Sequence, residues 1–259
     1  MQAFDRHGLD LLDTRSIGNV VARARPDVII NAAAYTMVDR AEQERDAAFA
    51  VNFRAAEALA HEARSTNALL IHFSTDYVFD GKKRSAYLET DAPAPLNVYG
   101  QSKLEGERAI AASGCRHFIL RTSWVYAPRG RNFLHAILAA ARAKPELRVV
   151  GDQRGSPTSS LTIAAAVAQV LSTPAHLERP SGVYNISAAG ETTCHGFATE
   201  ILNASGVATP VVAIRSDEYP VAAERPKNSL LDNSKIRATF GIAPPDWRQG
   251  LTAVLAAIH

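Results

Sequence analysis

The chain has 259 residues, 47% hydrophobic and 21% charged, with 28 Lys and Arg against 26 Asp and Glu. That is an ordinary globular composition, with room for one large domain or two smaller ones. A net charge of +2 argues against a nucleic-acid binder or a polybasic membrane anchor.

In chain order, the opening "MQAFDRHGLDLLD" is charged early and has no continuous apolar core, so it does not read as a signal peptide. "RPDVIINAAAYT" predicts a buried strand from Val28 to Asn31, started by Pro26 and followed by a turn of small residues. An Ala- and Glu-rich stretch from about Asp39 to Arg64 predicts a long helix with Asp39 as its cap. "ALLIHFST" predicts a second buried strand, Leu69 to Phe73, and the Gly-, Pro- and charge-rich stretch after it a loop. "YGQSKLEGERAIAAS" predicts a helix and "CRHFILRTSWVY" a third strand, His117 to Arg121. "NFLHAILAAARA" is helical and "LRVVGD" a short strand.

Beyond Gly151 come a helix at "SSLTIAAAVAQVLS", a short strand at "GVYNIS" and a helix ended by Gly206. An irregular Pro- and Arg-bearing stretch and a closing helix at "DWRQGLTAVLAAIH" follow. No apolar run approaches a membrane span. Cys115 and Cys194 lie in no Cys-x-x-Cys spacing and read as reduced thiols of a cytoplasmic protein. The eight histidines show no HxxxH or HExxH spacing, so no metal ligands are assigned.

Wholly apolar strands alternating with helices predict an α/β fold with a doubly wound parallel sheet. The layout is one doubly wound α/β domain, residues 1–150, with a smaller C-terminal portion, residues 151–259, packed on it. A ligand belongs at the carboxyl ends of the strands. Three such ends carry candidates. Ala32, Ala33 and Ala34 let a flat ligand approach the backbone, or simply make a tight turn. Ser74, Thr75, Asp76 and Tyr77 put hydroxyls at the sheet edge, or cap a turn. Tyr99 and Lys103 share one helix face by their spacing of four, as in many helices by chance.

Together the three make a chemistry. Free tyrosine titrates near about 10, and a nearby ammonium lowers that value. Tyr99 can then protonate a carbonyl oxygen as a hydride reaches its carbon, Lys103 can bond a cofactor ribose, and Thr75 can hold the oxygen in line.

"NAAAYT", "STDYVFDG", "NVYGQSKLEGE", "RTSWVY", "GSPT", "RPKNSLLD" and "DWRQGL" occur here in an order that closely resembles the dTDP-4-dehydrorhamnose reductases, which are extended short-chain dehydrogenase/reductases. The resemblance runs over nearly the whole chain. It implies reduction of the 4-keto group of dTDP-4-dehydro-L-rhamnose by NADPH or NADH, toward surface polysaccharide. It also implies Thr75, Tyr99 and Lys103 as the catalytic set. Ala32, Ala33 and Ala34 would line the cofactor, with Ser74 near the nicotinamide. Thr36, Val38, Asp76, Tyr77 and Trp124 would face the sugar, although core packing is the stronger reading of Trp124 from sequence alone. Arg225, Asn228 and Ser229 are weaker candidates for the nucleotide diphosphate. Related 4,6-dehydratases carry an acidic pair after the strand Ser/Thr. Thr75-Asp76-Tyr77 lacks the second acid, so elimination lacks its base and reduction does not.

A dinucleotide fold of this kind opens with strand, Gly-rich turn and helix. This chain has no G-x-G or G-x-x-G; its closest glycines are Gly151 and Gly155. The expectation is that one strand-loop-helix unit of about thirty residues is missing from the N-terminus, with a start site further upstream as the favoured explanation over a short, weaker enzyme. Asp5 or Arg6 would then lie near the adenosine ribose and Asp13 near the adenine, and they leave NADPH against NADH open. The resemblance also allows Mg²⁺ at a dimer contact and a monomer or homodimer. Two alternatives stand beside the reductase. One is a non-catalytic binding subunit, like the regulatory subunit of methionine adenosyltransferase, and the other is a reductase or epimerase of another nucleotide sugar.

Overall fold

Four apolar segments pair into one parallel sheet, in the order Val28–Asn31, Leu69–Thr75, Arg116–Thr122, Gly182–Asn185. The computed structural model describes residues 1–258. Side chains alternate across each strand, and both faces are covered. Leu70 and Ile119 pack with Ile17, Val21 and Leu59 of the helices Thr14–Ala24 and Ala55–Ser65. Leu69, Ile71, Phe118 and Leu120 face the other way, onto Val167 and Val170 of the helix Ser160–Ser172 and Ile236 and Phe240 of the helix Ser234–Phe240. Each such side chain contributes roughly 1.5–3 kcal/mol by leaving water. Val28–Asn31 forms one edge of the sheet, with Ile30 exposed.

The portions before and after residue 150 interleave. Gly182–Asn185 joins the main sheet from the second portion, while Leu147–Val150 leaves the first to pair in parallel with Val211–Ile214. A third core gathers Leu134, Phe197, Ile201, Trp247 and Leu251 beneath that pair. The helices Phe133–Ala143, Cys194–Ala204 and Trp247–Ala256 supply them.

The long helix expected from Asp39 to Arg64 is broken. Val38–Ala41 and Arg45–Phe49 are short turns of helix, Ala50–Arg54 is a π-helical segment, and Ala55–Ser65 completes the run. Asp39 is not its cap; Met37 holds that position. The Asp39 carboxylate is instead taken by Ala223 N at 3.1 Å and by the Arg225 guanidinium at 3.0 and 2.6 Å. The elements that went unread in the sequence include the helices Thr14–Ala24 and Ser234–Phe240 and the strand Val211–Ile214.

Candidate active site

The second strand runs two residues further than its apolar core, so Ser74 and Thr75 are its last residues and Asp76 starts a 3-10 turn, Asp76–Val78. Thr75 Oγ1 donates to Asp76 Oδ1 at 3.0 Å and accepts from Tyr77 N at 3.2 Å. The hydroxyl therefore caps the turn and stands at the sheet's carboxyl edge at once. Asp76 is 3% exposed. Burial pushes its carboxyl up to about 6, and the neighbouring Ser229, Thr75 and Ser123 hydroxyls offset part of that rise. Asp76 Oδ2 and Ser229 Oγ still lack any partner at hydrogen-bond geometry.

Tyr99 and Lys103 ride on the helix Val98–Ala112. Asn97 starts it: its Oδ1 accepts from Gly100 N at 2.8 Å, and its Nδ2 donates to Glu224 O at 2.7 Å. A Cβ on Gly100 would stand 2.2 Å from Tyr77 O, so only glycine lets this first turn press against the Thr75–Tyr77 segment. That approach brings the rings of Tyr77 and Tyr99 edge to face, with centroids 5.8 Å apart.

Spacing alone predicts that the Lys103 ammonium lowers the Tyr99 phenol. The structure corrects this. Burial pushes Tyr99 up to about 12, the Thr75 hydroxyl opposes that, and the Asp76 charge adds to it. Lys103 is 2% exposed and is held elsewhere, with Nζ donating to Phe73 O at 2.6 Å and lying 3.2 Å from His72 Nε2. Burial lowers Lys103 to about 8 against the opposing charge of Glu107.

Beside these residues opens a cleft of about 1760 Å³. Of the expected sugar-facing residues, Tyr77 and Trp124 line it. Trp124 is not a core residue. It is partly exposed, has φ 47° and lies over Gly155, where a Cβ would meet Trp124 Cε2 at 2.4 Å. Val38 opens the short helix at the head of the broken run, and Thr36 is exposed just before it. Arg225 lines the cleft with its charge already paired to Asp39. Asn228 is spent on structure, with Nδ2 donating to Lys83 O at 2.7 Å and Ser85 O at 2.9 Å, and Oδ1 accepting from Leu230 N. Its neighbour Ser229 is buried and its hydroxyl lowers the Asp76 carboxyl without meeting it at hydrogen-bond geometry.

Toward the cofactor side, Ala32 and Ala33 are exposed past the first strand and Ala34 is half-buried. Ser74 Oγ is buried without a hydrogen-bond partner. An open small-residue turn beside an unmet hydroxyl fits the nicotinamide end of a dinucleotide. The described residues contain no glycine-rich turn to cradle its pyrophosphate. Asp5 Oδ1 accepts from His7 N and Gly8 N, and Asp13 caps the helix Thr14–Ala24 through Arg15 N. Arg6 is exposed on the same segment. Among the described residues no group of three or more His, Cys, Asp or Glu side chains is disposed to hold a metal ion.

Sequence reading assigned no site role to His72 or Asn31 and gave Asp39 only that of a helix cap. A histidine inside the apolar "LLIHFS" was the available signal, since a buried polar ring needs a partner.

A family model described as RmlD substrate binding domain matches residues 1–259. The dTDP-4-dehydrorhamnose reductase of Burkholderia thailandensis is 45% identical over 257 residues, covering 94% of this chain and 86% of the relative. That of Shigella flexneri is 40% identical over 252 residues, covering 95% of this chain and 84% of the relative. The crystal structure of dTDP-4-dehydrorhamnose reductase from Bacillus anthracis in complex with NADP matches with a TM-score of 0.93 at 34% identity, covering 98% of this chain and 89% of that one. The chain belongs to the RmlD substrate binding domain family, alongside the dTDP-4-dehydrorhamnose reductases.

Proposed function

We propose that the protein reduces the 4-keto group of dTDP-4-dehydro-L-rhamnose to give dTDP-L-rhamnose, with NADPH or NADH as reductant. The observation that carries this is the meeting of Thr75, Tyr99 and Lys103 at one strand end beside the Tyr77 and Trp124 cleft, in a chain of this family.

The nicotinamide, when bound, supplies the hydride. The chain's residues do the rest. Tyr99, held up to about 12 by burial, is fully protonated at neutral pH, which is the form a proton donor needs. Its phenol gives that proton to the sugar oxygen. The Thr75 hydroxyl, fixed by the turn it caps, orients that oxygen. Burial disfavours the phenolate left behind, so Tyr99 is driven to regain a proton, and Lys103, one turn on, is the residue that can bond the cofactor ribose. Asp76, Tyr77, Trp124, Thr36 and Val38 face the sugar in this reading, with Arg225, Asn228 and Ser229 toward the diphosphate. Ala32, Ala33, Ala34 and Ser74 take the nicotinamide side, and Asp5, Arg6 and Asp13 the adenosine.

The test is to mix the protein with NADPH and dTDP-4-dehydro-L-rhamnose and follow the reduced-nicotinamide absorbance; no turnover refutes the proposal. The same assay with NADH, and after EDTA treatment, decides cofactor choice and any Mg²⁺ requirement. We place the enzyme in the cytoplasm as a monomer or homodimer. Among the described residues no helix is long and apolar enough to cross a membrane, and light scattering reads the molar mass.

A further inference from the structure

His72 lies mid-strand and is 1% exposed. In the sheet it pairs with Asn31, the last residue of the neighbouring strand. His72 Nδ1 is 3.0 Å from Asn31 Nδ2, and His72 Nε2 is 3.2 Å from Lys103 Nζ. The direction of this chain is set at its far end. Asn31 Oδ1 accepts from Ala33 N at 3.2 Å, and a backbone N–H can only donate. The oxygen of the Asn31 amide therefore faces Ala33, and its NH₂ faces the imidazole. An NH₂ also only donates, so Nδ1 accepts and the ring proton sits on Nε2. That N–H points at Lys103. An ammonium has no acceptor to offer it, whereas a neutral amine has a lone pair. The other contact of Lys103, the Phe73 carbonyl, accepts equally from either form.

We propose that His72, held by Asn31 as the Nε2–H tautomer, is a positioning residue that presents a donor to Lys103 Nζ and favours its neutral amine. The catalytic weight of Lys103 rests on the reductase reading above; the tautomer does not. The surroundings agree. Burial and the Lys103 charge hold His72 well below its ordinary range, so it stays a neutral ring. Tyr99 lies one turn back on the helix and is protonated. Glu107 lies one turn on and its charge raises Lys103, opposing the ring's donor, while Arg121 of the third strand grips it at 2.9 and 2.6 Å. Asp76, past the end of the second strand, is bonded by Thr75. The chain Ala33–Asn31–His72–Lys103 thus joins the small-residue turn to the lysine, whose titration burial already lowers to about 8. At that value it can release and regain a proton near neutral pH.

The experiment uses the ligand-free full chain with ¹⁵N-labelled histidine. A long-range ¹H–¹⁵N correlation spectrum separates Nε2–H, Nδ1–H and imidazolium, and the signal lost in His72→Gln identifies His72. The expected result is the Nε2–H pattern, unchanged through neutral pH. In Asn31→Asp the carboxylate can accept from both Ala33 N–H and the ring, so the pattern is expected to flip to Nδ1–H. Nε2 then offers Lys103 a lone pair. The alkaline limb of kcat/KM, which reports the free enzyme, should move up by about one pH unit, a tenfold change in proton affinity. His72→Gln, whose amide can turn its oxygen to the lysine, should move the limb the same way without adding charge. An Nδ1–H or imidazolium signal in the wild type overturns the proposal, as does a limb that stays put in both variants. A protein with the Nε2–H signal but no NADPH-dependent turnover fails the reductase reading alone.

Discussion

Glu107→Gln is the sharpest probe of how the catalytic helix is held. Glu107 lies one turn beyond Lys103, and Arg121 meets it from the third strand through Nε at 2.9 Å and Nη2 at 2.6 Å. The two side chains are 5% and 4% exposed. Neither charge has water to fall back on. Removing one partner from such a pair costs about 3–5 kcal/mol, because the other is left buried and uncompensated. The upper half of that range is expected here. Among the described residues Arg121 Nη1 already has no partner, and the guanidinium lies against the Phe79 ring, 5.0 Å from its centroid, with no second anion in contact. For a chain of this size the loss lowers the melting temperature on the order of 10 °C.

The assay is urea unfolding at pH 7, followed by circular dichroism. A second arm replaces both partners, Glu107→Leu with Arg121→Met, which removes both buried charges. It should recover most of the lost stability. A Glu107→Gln loss below about 1 kcal/mol would refute the reasoning, since that is the value of a solvated surface pair. So would a double variant no more stable than the single one. Because the Glu107 charge raises Lys103, the single variant should also move the alkaline limb of the reaction to lower pH.

Tyr99→Phe removes the proton donor and is expected to lower kcat by about 100- to 10,000-fold while leaving NADPH binding, read by fluorescence, nearly unchanged. The Asp76 carboxyl rises from its ordinary 3.8 to about 6 on folding, so the folded state binds the extra proton and stability falls as pH rises from about 4 to about 6. Asp76→Asn should therefore stabilise the fold by up to about 3 kcal/mol at pH 7 and by nothing below about pH 4, in urea titrations at the two pH values. Gly100→Ala places a methyl 2.2 Å from Tyr77 O, so a loss of about 1–3 kcal/mol is expected, with a fall in kcat as the Thr75–Tyr77 turn is pushed off the helix.

The parts of this fold that local chemistry decides were legible. Unbroken apolar runs gave away the strands Val28–Asn31, Leu69–Thr75 and Arg116–Thr122, and the spacing of four put Tyr99 and Lys103 on one helix. What was not legible depends on partners far along the chain. Asp39 reads as a cap because acidic residues favour helix starts, yet its carboxylate is claimed from 186 positions away. The strand Val211–Ile214 is short and leaves Val212 and Ala213 exposed, so it lacks the continuous burial that marks the others. The charge effect of Lys103 on Tyr99 was misread for the same reason. Spacing shows that two side chains share a face; it does not show that a carbonyl in the next strand has already taken one of them.

The Asp39–Arg225 pair gives this lesson a functional edge. Arg225 belongs to the irregular stretch that walls the cleft, and Asp39 to the broken helix after the first strand. The arginine is 22% exposed and doubly bonded, and Asn97 ties Glu224, the residue before it, to the start of the catalytic helix. One wall of the cleft is thus pinned at two points to the elements that carry the small-residue turn and Tyr99. A pair this partly buried acts less through net stability than through geometry, because a bidentate fork has one good orientation. If a diphosphate is to engage Arg225, it competes with a carboxylate already in place. Asp39→Asn should then free the guanidinium and loosen the wall together. A lower Kd for dTDP with a higher KM for the keto-sugar would separate those two effects. An unchanged Kd for dTDP would show that Arg225 holds the wall and not the ligand.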